Sequence, residues 1–498
     1  MNNVRAALII ATGERYVSLM INFATVAIVS RLMTPTEIGV SVVGMAVVGF
    51  ALAIREYTSP TYLIQHTNLS HSDTRRAFTL MLGLNTAIAL ALGGSAPGLA
   101  TAFNDVRLIP YLQVIAVSIV VELIAATALS LFRRHLLFGK VALINLTTAL
   151  VTALTTISMA LAGFGYMSFA WAWLAGALCS SGLALLLLHD RRIFRPLLGG
   201  LSSVLSFGVF NGTNILLYRI YEAMPYLILG RIVSLDAAAF FSRAQMICQL
   251  PDKTVLVGAV SVILPAFSAK VREGTSLRTA YLHAVSLISA LQWPALLLII
   301  LFAHPLVMLL FGHQWIGIVP IVRVLALASM FTFSFELNYP VLVAVGAVRD
   351  ALLRALVIWP VSGLILTLGA FFGLKVAAAS MLLAIPFQAA VSFAFVRRHV
   401  DLTWAALANA LWKSGIVTIG AAVGPVSVIA VSGFRFDDVP VATAFVAVPL
   451  AAVGWLAAVI LTKHPALLEL RQMTLSCKRL SHFGRRRAPR APVSDAAL

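Results

Sequence analysis

The sequence predicts an all-α polytopic membrane protein, and three observations support that fold class. The 498 residues are 60% hydrophobic and only 11% charged, with a mean hydropathy of +0.97, whereas soluble chains carry about 25% charged residues. Apolar stretches long enough to span a bilayer, for which about 20 residues suffice, follow one another along the chain. Lys and Arg gather in alternate loops. Together these features predict about 14 transmembrane helices.

The apolar stretches define the predicted spans in order. Each is bounded by turn residues or by charged loop residues, which are costly to bury in lipid. The predicted helices cover residues 10–33, 38–65, 77–100, 109–132, 141–162, 166–188, 203–230, 237–267, 281–304, 316–343, 350–373, 376–397, 408–432 and 439–462. They imply an N-terminal unit (1–198), a second unit (199–400), two further helices (401–462) and a basic tail (463–498).

Basic residues orient this array. Of the 36 Lys and Arg residues, 25 lie at the termini and in the loops that follow even-numbered helices. The other loops hold five, namely Arg31, Arg107, Arg231, Lys375 and Arg435. The positive-inside rule therefore predicts that both termini are cytoplasmic.

The net charge of +18 does not indicate a nucleic-acid partner. The basic residues lie in short loops and in the tail, without interleaved aromatic residues, so membrane topology explains them. The tail is expected to lie near anionic lipid headgroups. The three cysteines do not form a pair in outward loops, and neither a disulfide, a metal site nor a cofactor is expected.

A short internal repeat divides the chain. Residues 28–39 (IVSRLMTPTEIG) resemble residues 228–239 (ILGRIVSLDAAA), at an offset of 200. In both, a helix ends at a small residue and Arg, and a Ser or Thr precedes the next helix. Parallel internal repeats are common in transporters, so the sequence predicts two related halves.

Charged residues within the predicted spans are the candidate functional residues. Four clusters fall in the first two helices of each half: Glu14 with Arg15, Arg55 with Glu56, Arg219 with Glu222, and Asp252 with Lys253. Glu336 lies in the tenth helix, and Glu122 stands alone in the fourth. Two interpretations remain open for each pair: the two charges neutralise each other within the membrane, or they line a functional pathway. The four clusters lie in equivalent helices of the two halves, which favours one central cavity lined by all of them. Arginines suit a diphosphate, whereas carboxylates suit a coupling proton or Na⁺.

Sequence motifs of common enzyme classes are absent: the chain contains no HExxH, Walker A or GxSxG pattern. We expect a protein that is not an enzyme. Two alternatives stay open. One is a membrane polysaccharide polymerase or transferase, which would be expected to carry a large outward loop. The other is an exporter of small amphipathic cations on the same fold, for which an acid-dominated cavity is expected.

Several stretches resemble, in order, the polysaccharide transporter (Wzx-type flippase) family of the multidrug/oligosaccharidyl-lipid/polysaccharide exporter superfamily, and most of all its succinoglycan-type exopolysaccharide exporters. They include residues 30–39 (SRLMTPTEIG), 131–140 (LFRRHLLFGK), 163–168 (GFGYMS), 229–231 (LGR), 241–244 (FSRA), 264–268 (LPAFS) and 311–315 (FGHQW). The resemblance implies two six-helix lobes arranged in a V, with the last two helices appended.

The same resemblance implies a substrate and roles for residues. The substrate would be an undecaprenyl-diphosphate-linked oligosaccharide, flipped by alternating access. A polysaccharide polymerase and a chain-length regulator are candidate partners. In this family, arginines of the cavity are thought to bind the diphosphate. Arg15, Arg55 and Arg219 lie in matching helices at matching depth, and Lys253 is a fourth candidate. Glu14, Glu56, Glu222, Asp252 and Glu336 are the ion-coupling candidates.

Overall fold

The computed structural model describes residues 2–55, 70–197, 202–433 and 439–469, together with Leu63 and Arg471. This part of the chain is built from helices and contains no strand. The first half comprises α1 (Asn2–Leu32), α2 (Pro35–Arg55), α3 (His71–Ala102), α4 (Leu108–Arg134), α5 (Phe138–Leu161) and α6 (Met167–Leu187). A single 3-10 turn, Arg191–Phe194, follows α6.

The second half is more interrupted than the first. It comprises α7 (Ser202–Ile232), α8 (Leu235–Cys248), α9 (Val257–Arg272), α10 (Leu277–Leu301), α11 (Ala303–Leu310), α12 (Val319–Ser329), α13 (Phe335–Ala344), α14 (Val348–Ala370) and α15 (Leu374–Val396). The chain continues with α16 (Trp404–Ser432) and α17 (Val441–Leu461).

Ten of the described helices have the length and composition to cross a membrane. They are α2–α6, α10 and α14–α17. An all-helical, multi-pass membrane fold is therefore confirmed, while the total of fourteen spans stays a prediction. Two expected helices are wrong as single elements. Residues 237–267 form α8 and α9 joined by a π-helical turn, and residues 316–343 contain α12, a 3-10 turn and α13.

The predicted repeat of two related halves stays a prediction, and the helix ends agree with it. Helices α1 and α7 end at Leu32 and Ile232, 200 residues apart. The next helix starts through the same chemistry in each half. Thr34 Oγ1 accepts a hydrogen bond from the Glu37 N–H, and Ser234 Oγ accepts one from the Ala237 N–H. Such side-chain caps satisfy backbone donors at a helix N-terminus.

Helices pack mainly with neighbours from their own half. In the first half, α4 packs against α3 and α6, while α5 packs against α1 and α6. In the second half, α10 packs against α12 and α14 packs against α7 and α15. Helix α2 crosses between the halves and packs against α7 and α8. Its Gly39 permits this crossing, because a Cβ there would overlap the backbone of Leu235.

The last two helices attach to the second half through α10. Helix α16 packs against α10 and α17. Helix α16 carries a face of small residues, because Cβ atoms added at Gly420 and Gly424 would meet Ala458 and Leu450 of α17. Close approach of helix backbones at small residues is a common mode of association in membranes.

Candidate functional site: charged residues between and within the two halves

The first half encloses a cavity of about 750 Å³, which we call the first-half pocket. Helices α1, α2, α4, α5 and α6 contribute its wall. Its polar lining consists of Ser18, Asn22, Arg55, Glu122, Ser130, Arg133, Asn145, Thr148, Thr152, Thr156, Trp173 and Ser180. Polar groups are costly to bury without partners. The pocket therefore groups polar side chains with apolar ones inside an otherwise apolar bundle.

Arg55 and Glu122 form the ionic centre of the first-half pocket. Arg55 Nη1 lies 3.6 Å from Glu122 Oε1, and the Trp173 indole N–H donates to Glu122 Oε2 at 3.2 Å. Three helices, α2, α4 and α6, thus converge on one carboxylate. The partner that the sequence predicted for Arg55, Glu56, lies outside the described residues.

Glu14 has polar partners within the same half. The Asn145 side-chain N–H donates to Glu14 Oε1 at 3.2 Å, and Ser18 Oγ donates to that oxygen at 3.4 Å. Both donors also line the first-half pocket. Arg15 is exposed and lies outside the pocket lining. The structure therefore places the Glu14 side chain against Asn145 of α5 and does not bring it together with Arg15 in one site.

Arg219 and Glu222 form the predicted pair at mid-length on α7. Their side chains approach to 2.8 Å and remain 53% and 43% exposed. Tyr218 donates to the other oxygen of Glu222 at 3.1 Å. Lys253 is also exposed, and the next residue, Thr254, accepts a hydrogen bond from Tyr16 of α1 at 3.5 Å. The side chains of Tyr218, Arg219, Glu222 and Lys253 do not line the first-half pocket. The structure therefore divides the expected single cavity into two charged regions.

Asp252 belongs to a third polar group, which we call the polar junction. The Gln292 side-chain N–H₂ donates to Asp252 Oδ1 at 2.6 Å and to Thr332 Oγ1 at 2.9 Å. Asp252 opens the π-helical turn, Gln292 lies on α10, and Thr332 opens the 3-10 turn before α13. Glu336 belongs to α13, but its side chain lies outside the described part of the structure.

Hydrogen bonds join the two halves at one end. We call this group of residues the interhalf clasp, and it consists of Ser30, Met33, Arg243, Gln314 and Trp315. Gln314 Nε2 donates to the carbonyl oxygens of Ser30 and Met33, at 2.5 and 3.0 Å. Trp315 Nε1 donates to the Ser30 carbonyl at 2.7 Å, and Arg243 Nε donates to Ser30 Oγ at 2.9 Å.

Arg243 is the core of the clasp and was not among the predicted site residues. Its side chain is buried, with the guanidinium 5.7 Å from the centre of the Trp315 ring. This contact is of cation–π type. A buried arginine in the Phe-Ser-Arg-Ala stretch was the available sequence signal, because intramembrane charges are rarely incidental. Glu122 was noticeable as an isolated charge within a predicted span, whereas no sequence pattern indicated Asn145, Trp173 or Gln292.

Comparison with known proteins decides the family. A family model described as "Polysaccharide biosynthesis protein" matches residues 28–320, which is more than half of the chain. The chain belongs to this family. The matched region contains both copies of the internal repeat, the polar residues of the first-half pocket from Arg55 onward, and all five clasp residues.

Two curated proteins of polysaccharide transport and biosynthesis are similar to this chain. The succinoglycan biosynthesis transport protein ExoT of Rhizobium meliloti (strain 1021) is 26% identical over 330 residues, covering 66% of each chain. The lipopolysaccharide biosynthesis protein WzxC of Escherichia coli (strain K12) is 23% identical over 310 residues, covering 61% of this chain and 62% of WzxC. The matches thus span slightly less than two thirds of these relatives.

A solved structure establishes the fold. Lipid II flippase MurJ, in an inward closed conformation, superposes with a TM-score of 0.72 at 12% identity, covering 92% of this chain and 99% of MurJ. The fold class predicted from the sequence is therefore confirmed. The curated relatives are described as polysaccharide biosynthesis and transport proteins. This agrees with the expectation that the chain is not an enzyme.

Proposed function

We propose that this protein is a flippase for an undecaprenyl-diphosphate-linked oligosaccharide in exopolysaccharide or lipopolysaccharide biosynthesis. It turns the lipid-linked repeat unit from the cytoplasmic to the periplasmic leaflet of a bacterial inner membrane by alternating access. Both termini are cytoplasmic, and inward movement of H⁺ or Na⁺ drives the cycle. The two lobes are residues 1–198 and 199–400, and a polysaccharide polymerase and a chain-length regulator take up the product.

One observation carries this proposal: the halves are clasped at one end, while charged side chains are exposed at mid-length. Arg219 and Glu222 lie near the middle of a 31-residue helix and are about half exposed. A charge facing lipid at this depth is costly, so a water-filled opening between the halves is the favourable environment. By the positive-inside topology, the clasped end is periplasmic and the opening faces the cytoplasm.

The charges of the opening suit the proposed headgroup. Arg219, Lys253 and Arg15 are exposed cations on α7, the π-helical turn and α1. Arginine binds phosphate oxygens bidentately, and lysine acts as a point charge. Arg55 lies deeper, in the first-half pocket, where it completes the cation set. The carboxylates Glu14, Glu222 and Asp252 are the coupling candidates described by the structure, and Glu56 and Glu336 remain candidates from the sequence.

The test is leaflet-resolved labelling of lipid-linked sugar in cells that lack the protein and in cells that express Arg219→Gln. We expect the repeat unit to accumulate on the cytoplasmic face in both, with export in the variant reduced about tenfold or more, because a charge-assisted phosphate hydrogen bond contributes about 1.5–3 kcal/mol. Export is measured as extracellular polysaccharide per amount of membrane protein.

Arg278→Gln is the matched control, since Arg278 is exposed in the first turn of α10 and belongs to none of the charged groups described above. Its export should equal that of the wild type. If single repeat units accumulate on the periplasmic face of the deletion strain, translocation is intact and polymerisation has failed. That outcome would contradict the flippase function and favour the alternative of a polysaccharide polymerase.

A further inference from the structure

A concave group of basic side chains lies at the end of the first half that the positive-inside rule predicts to be cytoplasmic. It encloses about 400 Å³ beside the 3-10 turn that follows α6. We call it the arginine pocket, and its lining consists of His189, Asp190, Arg191, Arg192 and Arg195. All five residues are exposed. The arginine pocket shares no residue with the first-half pocket or with the charged pair on α7.

Positive charge dominates the arginine pocket, because its lining contains three arginines and a single carboxylate, that of Asp190. Both oxygens of this carboxylate have other partners. Oδ1 accepts a hydrogen bond from the Arg192 backbone N–H at 2.9 Å, and Oδ2 lies 2.6 Å from His71 Nε2. In the described part of the chain, no carboxylate forms a salt bridge with Arg191, Arg192 or Arg195. The pocket therefore offers its guanidinium groups to an anion from outside the chain.

The backbone that carries these arginines is held in place by the rest of the first half. Arg75 of α3 donates a hydrogen bond from Nε to the Arg195 carbonyl oxygen at 2.9 Å. Within the 3-10 turn, Ile193 is buried, and the Phe194 ring packs edge-on against the Phe78 ring with their centres 5.1 Å apart. The arginine side chains therefore project from a fixed backbone. A site that is already formed loses less conformational entropy when a ligand binds.

An exposed apolar strip on α6 leads to the arginine pocket. Its residues share one face of the helix and are Trp171, Leu178, Gly182 and Leu186. Leu186 is 74% exposed and precedes His189 by three residues. Apolar side chains that a membrane-spanning helix exposes are suited to contact with acyl chains. A phosphate that carries acyl chains therefore fits both the pocket and the strip, whereas a free phosphate fits the pocket alone.

We propose that the arginine pocket binds the phosphate headgroup of an anionic phospholipid of the cytoplasmic leaflet, with an acyl chain along the exposed strip of α6. Arginine binds phosphate oxygens through bidentate hydrogen bonds. Basic pockets at the cytoplasmic ends of membrane helices suit lipid headgroups. An anionic lipid is favoured over a zwitterionic one, because it brings no second cation to a pocket that is already positive. This inference goes beyond the proposed function and holds whether or not the chain moves lipid-linked sugar.

The bound headgroup acts on two helices of the first half. The contact between Asp190 and His71 joins the pocket to the first residue of α3. Arg191 Nε donates to the Leu185 carbonyl oxygen in the last turn of α6 at 3.2 Å. A lipid held by the pocket therefore fixes the cytoplasmic ends of α3 and α6 at the depth of the headgroups.

The experiment counts the lipids bound to the purified full-length protein by native mass spectrometry, in detergent titrated with dioleoylphosphatidylglycerol or dioleoylphosphatidylcholine. We expect one phosphatidylglycerol per chain to bind more tightly than phosphatidylcholine with the same acyl chains. Arg192→Gln and Arg195→Gln should each weaken this binding about tenfold or more, since each removes a charge-assisted hydrogen bond to phosphate. Both variants keep the backbone hydrogen bonds that hold the turn. Arg195→Lys keeps the charge and should lose less affinity than Arg195→Gln.

Arg397→Gln is the matched control. Arg397 is exposed at the C-terminal end of α15, in a loop that is also predicted to be cytoplasmic, and it does not line the arginine pocket. The variant removes the same charge, so its phosphatidylglycerol affinity should equal the wild-type value, and size exclusion checks that all variants are monodisperse. Equal affinity of the wild type for the two lipids overturns the proposal. An equal loss of affinity in Arg192→Gln and Arg397→Gln also overturns it, because overall charge would then attract the lipid.

Inorganic phosphate and inorganic pyrophosphate, added as competitors at constant ionic strength, distinguish the possible sources of the bound group. We expect neither to displace phosphatidylglycerol at equal concentration, because neither has an acyl chain to contact α6. Displacement by both would show that the pocket takes a free phosphate. Displacement by pyrophosphate alone would assign the pocket to a diphosphate and would likewise overturn the phospholipid site. Since no readout depends on transport, failure of this proposal leaves the flippase function untouched, and failure of leaflet transfer leaves the lipid site untouched.

Discussion

Arg55 and Glu122 neutralise each other within the first-half pocket, and this pairing complicates any test of Arg55. The two groups lie 3.6 Å apart and are 17% and 30% exposed. Removing one member of a partly buried ion pair leaves the other without compensation, which is destabilising in itself. A loss of export in Arg55→Gln alone would therefore reflect either substrate binding or a weakened fold.

A double variant separates these two effects. Arg55→Gln should lower both membrane abundance and export, and adding Glu122→Gln should restore abundance, because no uncompensated charge remains. Trp173 still has an oxygen to which its indole N–H can donate. If Arg55 binds the diphosphate, export by the double variant stays about tenfold or more below wild type. Recovery of export together with abundance would show that the pair is structural. Immunoblotting and extracellular polysaccharide provide the two readouts.

The individual charges could be predicted from the sequence, whereas their partners could not. Arg55, Arg219 and Asp252 are conspicuous because a charge within an apolar span is costly. The periodicity of a helix places a residue on a face but does not say which faces meet. Arg55 therefore seemed to pair with adjacent Glu56, yet the structure brings it to Glu122 of α4. Uncharged Gln292 could not be distinguished from other polar residues of the spans.

At the scale of elements, the segment after α17 is held to α10 and α16 by a buried histidine. His464 Nδ1 accepts a hydrogen bond from the Ala466 N–H, so Nε2 carries the proton of the neutral ring. Nε2 lies 3.0 and 3.2 Å from the hydroxyl oxygens of Ser286 and Ser414. Burial, with smaller contributions from Lys413 and His283, lowers the pKa of His464 to about 4.

This histidine predicts acid sensitivity. Since the pKa of His464 is depressed in the folded protein, its neutral form stabilises the fold above pH 6.5, and that stabilisation is lost as the pH falls towards 4. The thermal unfolding temperature should fall in this window, and the decrease should be smaller in His464→Gln. His135→Gln is the control, because His135 is exposed. Equal pH profiles for the wild type and His464→Gln would contradict the assignment.

Element positions were predicted well where helices are continuous and poorly where they are interrupted. Runs of apolar residues and flanking turns locate α4, α5 and α6 to within a few residues. The breaks at Asp252 and Thr332 were missed, because hydropathy averages over a window and does not register one altered turn. Pro251 was visible, but prolines are tolerated within membrane helices, so it did not predict the π-helical turn.

At the scale of the molecule, the clasp joins the two halves at one end. The proposed alternating access requires this end to open when the other closes. The crossing of α2 over α8 depends on Gly39, where any side chain would overlap the Leu235 backbone, and Gly230 approaches Val43 nearby. Overpacking of a tight contact costs about 1–3 kcal/mol. In the proposed cycle, the small residue at this crossing therefore contributes to the balance between the two conformations.

Gly39→Ala should shift this balance towards opening at the clasp. A cysteine in place of Met33, which is 2% exposed, reports on the change in a background lacking Cys179, Cys248 and Cys477. Its labelling by a membrane-impermeant maleimide should rise about tenfold when Gly39→Ala is added. Gly49→Ala is the control, since a Cβ on Gly49 of the same helix meets nothing within 4 Å. Equal labelling in all three backgrounds would show that Gly39 does not govern opening.

The clasp has a consequence for the interchange of parts between related transporters. Of its three acceptor atoms in the first half, two are main-chain oxygens, those of Ser30 and Met33, whereas the donors Arg243, Gln314 and Trp315 all come from the second half. Main-chain oxygens are present whatever side chains the first half carries. A chimera that joins the first half of a homologue to this second half therefore retains the clasp hydrogen bonds to main-chain oxygens. Under the proposed function, recombination can thus exchange the first-half pocket while the clasp is retained, which is a route to new glycan specificity.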